Sequence, residues 1–329
     1  MKVSIVLPVY NGEDTLKECL NAIADIDYPK EDFELIIVND GSKEGSHEII
    51  KEFVENKKEN LNVKYINLKK NVGRIKARLE GVKESKYNSL LFIDHRGKVH
   101  KDIIKKIEEK NYQPIIGNLY QNKKESLIGN FFYVLRKIIY YPYWGESFKD
   151  VYINEENFDQ IAKGFCPFFC DKELLIRNLP KEKGKNISDD TLVFSNIVRE
   201  KKILKTSDCK VLYSERDFGE GFISHLFNRG PKFVQFYFSK NLKYTALILF
   251  LASSPFLLAL GLLLMSLVPI LLYLIAGFFI LVLAITNVKY NLNLRDILSL
   301  IVCGPIVWIV FATGIWKGLL LKVLNRLGQ

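Results

Sequence analysis

Four stretches of the 329-residue chain gather side chains able to bind or move charge. Pro8-Val9-Tyr10-Asn11-Gly12-Glu13-Asp14 joins a β-branched run to an amphipathic segment through a glycine-containing turn. Such a turn sets backbone N–H groups and the positive end of a helix dipole beside any neighbouring pocket. Val38-Asn39-Asp40-Gly41-Ser42 ends a second apolar run in a carboxylate able to accept hydrogen bonds; an Asx-turn would use the same residues. Asn71-Val72-Gly73-Arg74-Ile75-Lys76-Ala77-Arg78 places Arg74 and Arg78 four apart on one predicted helix face, suited to phosphate or to a solvated basic surface. Ile187-Ser188-Asp189-Asp190-Thr191-Leu192 sets two adjacent carboxylates before a helical run. Their repulsion tends to raise one pKa toward neutrality, where a base is useful, and Ser188 or Asp189 equally suits a helix N-cap. Taken singly, each stretch is explained as well by local structure as by chemistry.

The elements that must hold these residues are legible in the first hundred positions. Lys2–Pro8, Phe33–Asn39, Val63–Asn67 and Ser89–Ile93 read as strands, and Glu13–Ile26, Ser46–Glu55 and Gly73–Glu84 as helices. Strand and helix in alternation argue an α/β, doubly wound sheet with ligands at the carboxyl ends of its strands. Beyond Pro114 the pattern loosens. Ser126–Tyr143 is aromatic and basic, fitting either a membrane-interface helix or a core helix with a basic edge. Phe165–Leu174 reads as strand and turn, and Thr191–Arg199 as helix.

In this order and at these strand ends, the motifs resemble those of the family 2 glycosyltransferases of the GT-A (Rossmann-like) fold. The resemblance is close over about residues 3–100 and looser over 160–235. It implies that Pro8, Tyr10, Asn11, Glu13 and Asp40 line the base and ribose of a nucleotide sugar. It further implies that Gly73 permits close backbone approach, that Arg74 and Arg78 support the nucleotide pocket, and that an aspartate of the acidic pair is the base toward the acceptor hydroxyl. Asp190 is preferred for that role over Asp189.

The chain departs from the family at the fourth strand. The family usually ends it with Asp-x-Asp, whose last carboxylate binds a divalent metal, Mg or Mn, on the donor's diphosphate. Here it reads Asp94-His95-Arg96. Three readings follow: a degenerate binder, a metal enzyme using Asp94 or His95, or a transferase whose Arg96 replaces the metal. A divalent ion with one carboxylate carries one net positive charge, and Arg96 supplies the same. At about 4 Å and an effective dielectric near 20, one charge pair is worth roughly 4 kcal/mol before desolvation. Arginine also grips phosphate through two parallel N–H bonds. The expectation is therefore that Arg96 meets the diphosphate and aids departure of the leaving group, while Asp94 faces the ribose or donor sugar. In Ser224-His225-Leu226-Phe227-Asn228-Arg229-Gly230, Arg229 is a further phosphate contact and His225 a weaker one. The Gln-x-x-Arg-Trp of processive synthases is missing there.

Composition supplies the setting. The chain has a net charge of +10 and is 48% hydrophobic, yet no charged residue falls between Lys243 and Lys289, nor from Ile297 to Trp316. About 20 such residues span a bilayer. A catalytic domain is expected over 1–240, with a nucleotide-binding half to about 113 and an acceptor half over 114–240. A membrane domain over 241–329 would hold about three transmembrane or re-entrant segments at 244–266, 267–286 and 297–321. Three crossings would strand Lys317, Lys322 and Arg326 on the outer side, against the positive-inside tendency, unless the last segment re-enters at Gly304-Pro305. The start of the chain is too short in apolar residues for a signal peptide, so a multi-pass membrane protein with a cytoplasmic catalytic domain is expected. Lys232, Lys240 and Lys243 suit an anionic lipid surface, nothing resembles a nucleic-acid module, and five cysteines without framework spacing read as free thiols.

The activity implied is inverting transfer of one hexose-type sugar from a UDP- or GDP-sugar to a lipid-linked acceptor. The alternatives are a polyprenyl-phosphate sugar transferase similar to dolichol-phosphate mannose synthase, a processive polysaccharide synthase, and a non-catalytic nucleotide-sugar-binding subunit.

Overall fold

The structure, a computed structural model, describes residues 1–57, 61–121, 126–180, 189–214, 222–238, 240–265 and 289–327. The expected second apolar segment, 267–286, lies outside the described residues. By packing, the chain divides into two compact units. One comprises Met1–Asn122, Tyr140–Lys185 and Asp189–Glu215; the other comprises Lys123–Ile139, Asn186–Ser188 and Arg216–Gln329.

The first unit is built on a sheet ordered β3-β2-β1-β4-β8-β6-β9-β5, with β7 paired to β9. Its first four strands, β1 (Val3–Val9), β2 (Phe33–Asn39), β3 (Asn62–Asn67) and β4 (Ser89–Phe92), are parallel and joined by α1 (Glu13–Ala24), α2 (Ser46–Lys57) and α3 (Arg74–Glu84). β1 and β2 are buried at every position because helices cover both faces. Alternation along each strand divides the cores. Ile5, Leu7, Leu35 and Ile37 pack with Leu16, Leu20 and Ile23 of α1, whereas Val6 and Val38 face Gly81 of α3.

The other half of the sheet departs from the doubly wound expectation. β8 (Phe168–Asp171) runs antiparallel to β4 and β6 (Ile115–Tyr120), and β9 (Ile203–Tyr213) lies parallel to β6 but antiparallel to β5 (Gly97–Val99) and β7 (Val151–Ile153). The sheet is therefore mixed. Past β4 the sheet pairs strands far apart in the chain, β4 with β8, β8 with β6 and β6 with β9, and helices lie between them in sequence. α4 (Ile103–Lys110) and α6 (Lys172–Arg177) flank this half, and α7 (Asp189–Glu200) packs on it through Phe194. The rings of Phe92, Phe165, Phe168 and Phe194 form a cluster with centroids 4.9–6.2 Å apart.

The second unit is helical: α5 (Leu127–Ile139), α8 (Phe222–Phe227), α9 (Arg229–Tyr237), α10 (Leu242–Met265) and α11 (Leu294–Leu327). α10 and α11 contain the described stretches long and apolar enough to cross a membrane, Leu242–Gly261 and Leu294–Leu324. Pro305 lies inside α11 without ending it, so the break expected at Gly304-Pro305 is not there. α9 and α11 meet backbone to backbone. A Cβ on Gly230 would collide with main-chain atoms of Gly314 and Ile315, one on Gly314 with the Phe227 carbonyl at the end of α8, and one on Gly318 would lie 2.8 Å from the Pro231 Cα. Small residues permit that approach.

Candidate active site

The carboxyl ends of β1, β2 and β4 and the start of α7 bring most of the singled-out residues into the first unit. Pro8 is buried in β1, and Tyr10 at its end is exposed. Asn11 adopts a left-handed φ of 48°, and its side-chain oxygen accepts the Lys43 N–H at 3.1 Å. Glu13 accepts the Gly45 N–H at 3.2 Å, while Gly12 N–H donates to the Ser46 hydroxyl at 3.0 Å. Asn11 and Glu13 thus knit the end of β1 to the turn before α2.

Asp40 is buried and hooks a second loop. One carboxylate oxygen accepts the Val72 N–H at 2.7 Å and the other the Gly73 N–H at 3.1 Å. Burial pushes its pKa up, and the two backbone bonds oppose that shift. Gly41 beside it has φ +67°, and a Cβ there would lie 2.6 Å from the Lys70 carbonyl carbon. Only glycine fits such a corner without strain. Gly73, at φ +94°, has open space where its Cβ would be.

The centre of the site is Arg78, buried on α3. Its Nη1 donates to Asp190 Oδ1 at 3.0 Å and its Nη2 to Asp94 Oδ1 at 3.3 Å. The guanidinium carbon sits 4.1 Å from the centre of the Phe165 ring, and Nε has no hydrogen-bond partner among the described residues. One fork therefore joins the end of β4 to the second residue of α7, over the aromatic cluster that seats α7. Sequence spacing paired Arg78 with Arg74; in the fold Arg74 is exposed, and Arg78 is committed to carboxylates rather than to an open basic face. Asp94 and Asp190 remain partly exposed, with side chains 32% and 26% accessible, so both can still face a ligand. The Asp189 and His225 side chains lie outside the described residues.

His95 follows Asp94 in the turn after β4. Its buried ring lies 3.2 Å from the Thr15 hydroxyl, and a Cβ on Gly12 would come within 2.7 Å of its Nδ1. It packs against α1, whereas Asp94 meets Arg78 of α3. Arg96, half-buried, occupies a turn closed by the Gly97 N–H on the Asp94 carbonyl at 2.8 Å, and its own carbonyl accepts the Ser214 N–H at 2.9 Å. Among the described residues no three His, Cys, Asp or Glu side chains converge, and Cys166 and Cys170 are buried free thiols whose pKa values burial pushes up. Among the described residues the carboxylates at the site are Asp94 and Asp190, and both are already ion-paired to Arg78, which competes with a metal for them. Arg229 is exposed at the first residue of α9, in the second unit.

A strand end with a carboxylate, a glycine-bearing loop and an acidic helix start are the parts of a sugar-transferring GT-A domain, and the sequence agrees with that description. The Glycosyl transferase family 2 profile matches residues 4–170, half of the chain. The chain belongs to this family. The poly(ribitol-phosphate) beta-glucosyltransferase of Bacillus spizizenii is 41% identical over 95 residues, which are 29% of this chain and 14% of that protein. The family 2 chain thus matches well under two thirds of that relative's length. Among solved structures, the mannosyltransferase PcManGT from Pyrobaculum calidifontis, in complex with GDP-Man and Mn2+, is similar with TM-score 0.62 at 15% identity, over 97% of this chain and 87% of that one. S. aureus TarS 1-349 in complex with UDP-GlcNAc is similar with TM-score 0.51 at 21% identity, over 71% and 67%. Both likenesses are of fold.

Proposed function

We propose that the chain is an inverting glycosyltransferase that moves a sugar from a nucleotide sugar to a lipid-linked acceptor at the cytoplasmic face of a membrane. The observation that carries the catalytic part is the Asp94–Arg78–Asp190 bridge, which holds a donor-side carboxylate and the acceptor-side carboxylate at one guanidinium. Asp190 accepts the proton of the acceptor hydroxyl as its oxygen attacks the anomeric carbon. The bond from that carbon to the phosphate oxygen breaks, and the nucleoside diphosphate leaves with the bonding pair. Arg78 holds Asp190 in place and stabilises its ionised form before the proton arrives. Arg96 supplies positive charge toward the diphosphate, with Tyr10, Glu13 and Asp40 around the nucleoside. Support for a nucleotide-sugar donor comes from the fold relatives bound to UDP-GlcNAc and GDP-Man. The membrane setting is supported by the two long apolar helices.

No step is routed through a metal, because Arg78 already holds both Asp94 and Asp190. Turnover of UDP- and GDP-sugars by purified protein in lipid tests the whole reading. Asp190→Asn is expected to lower kcat about 10³-fold with donor binding kept, and chelator is expected to leave wild-type turnover intact. Consumption of bare polyprenyl phosphate by Asp190→Asn at the wild-type rate would favour the polyprenyl-phosphate transferase, whose ionised nucleophile needs no base.

A further inference from the structure

α11 is apolar all round in sequence but two-sided in the fold. Leu294, Leu298, Ile301, Val302, Ile306, Ile309, Trp316, Leu320, Val323 and Leu324 are exposed. At 3.6 residues per turn they fall within one arc of about 140° along 30 residues. The opposite side is covered inside the second unit. Its N-terminal half lies on α5, where the buried Asn130 side chain donates to Asp296 at 3.0 Å and to Ser299 at 3.3 Å, and Phe131 packs with Cys303 and Val307. Its C-terminal half lies on α8 and α9 through the glycine contacts, with Lys317 donating to Asn228 at 3.4 Å and Lys322 to the Phe238 carbonyl at 3.2 Å. Lys317 and Lys322 both fall outside the exposed arc.

The partners fix which side of a bilayer each half occupies. α5 leaves β6 and leads on to β7 after 13 helical residues, about 20 Å, too short to cross a hydrocarbon core of about 30 Å. α8 and α9 precede α10 and are shorter still. Both halves of α11 therefore rest on elements that cannot have crossed. α10 meets α11 over a short stretch: Trp308 and Trp316, eight residues apart, donate to Ser254 and to the Ala252 carbonyl, two residues apart.

We infer that α11 lies in the plane of the membrane, its exposed arc sunk at the boundary of headgroups and acyl chains, and is not a third crossing. The occupant of that arc is a bilayer with anionic headgroups. Aromatic and basic side chains cluster where α9 leads into α10: Lys240 lies 5.2–5.4 Å from the Phe236, Tyr237 and Tyr244 rings, and Lys322 of α11 4.5 Å from Phe238. This placement removes the conflict with the positive-inside tendency, since Lys317 and Lys322 stay with α8 and α9, bonded to Asn228 and to the Phe238 carbonyl. It rests on the membrane reading above.

Two measurements on the full chain test it. In cells, reporters placed just before α11, at Asn291, and at the C-terminus are expected on the same side of the membrane. In vesicles containing anionic phospholipid, tryptophans placed singly by Ile301→Trp and Leu320→Trp in a background lacking Trp144, Trp308 and Trp316 are expected to be quenched at equal depth by brominated lipids. Along the helix the two sites are about 28 Å apart. Reporters on opposite sides, or tryptophans in opposite leaflets, would overturn the in-plane placement while leaving the membrane reading standing. Release of the protein from membranes by carbonate, with no binding to vesicles, would overturn both.

Discussion

Two buried cations of the sheet unit, Arg78 and Lys205, have surroundings that differ in kind. Arg78 has a carboxylate at each Nη and an aromatic face against its carbon. Lys205, on β9, has one neutral partner, the Gly117 carbonyl at 2.6 Å, with the Phe148 ring at 5.6 Å and the Lys163 ammonium as an unfavourable neighbour. Burial and Lys163 pull the Lys205 pKa down to about 7. A buried charge with two counter-charges is an organising centre; one with a single carbonyl is close to giving up its proton. Gly117 sits where the β6–β9 register shifts, between Ile116 and Asn118, so Lys205 fills a structural irregularity, whereas Arg78 joins residues that face a ligand.

Breaking the organised cation gives the largest effect. Arg78→Ala leaves two carboxylates facing each other in a partly desolvated site and is expected to cost about 3–5 kcal/mol in urea unfolding, with turnover near background. Arg78→Lys keeps the charge, but an ammonium cannot fork between Asp94 and Asp190, so stability should recover in part and kcat stay at least about tenfold low. The reverse sign is expected at the other cation: Lys205→Met should stabilise the protein by about 1–2 kcal/mol at pH 7. Between pH 7 and 10.5 the unfolded chain holds a proton on Lys205 that the folded protein lacks, so wild-type stability gains from rising pH in that window. Melting curves of Lys205→Met should lose that gain, and the two proteins should converge toward pH 10.5. Arg74→Ala, at an exposed position, should change stability by under about 0.5 kcal/mol and kcat/KM by less than tenfold.

The parallel half of the sheet was legible because it buries both faces: β1 and β2 are unbroken apolar runs between amphipathic helices, and their observed limits agree with the pattern to within a residue or two. β9 was not. Its run Ile-Leu-Lys-Thr-Ser-Asp-Cys-Lys-Val-Leu-Tyr breaks the apolar pattern at Lys205, Thr206 and Ser207, all buried, and the Lys205 and Ser207 side chains are satisfied by hydrogen bonds to backbone carbonyls. The positions of Asp40, Asp94 and Asp190 could be read as strand ends and a helix start. The partners of Arg78 could not, since they lie 16 and 112 residues away and only the fold brings them to one fork. The two-sidedness of α11 was equally hidden, because both its faces are apolar and only burial tells them apart.

The corner at Asp40 limits which side chains the chain can accept there. Two backbone N–H groups arrive at two different oxygens of one buried carboxyl group. Asparagine has nearly the same shape but offers one oxygen and one NH2, so one backbone donor would meet another donor head-on. Glutamate has the oxygens but reaches one carbon too far. The corner selects for bare lone pairs at a fixed height above the strand, and mutational tolerance there should follow lone-pair placement rather than size, polarity or charge alone.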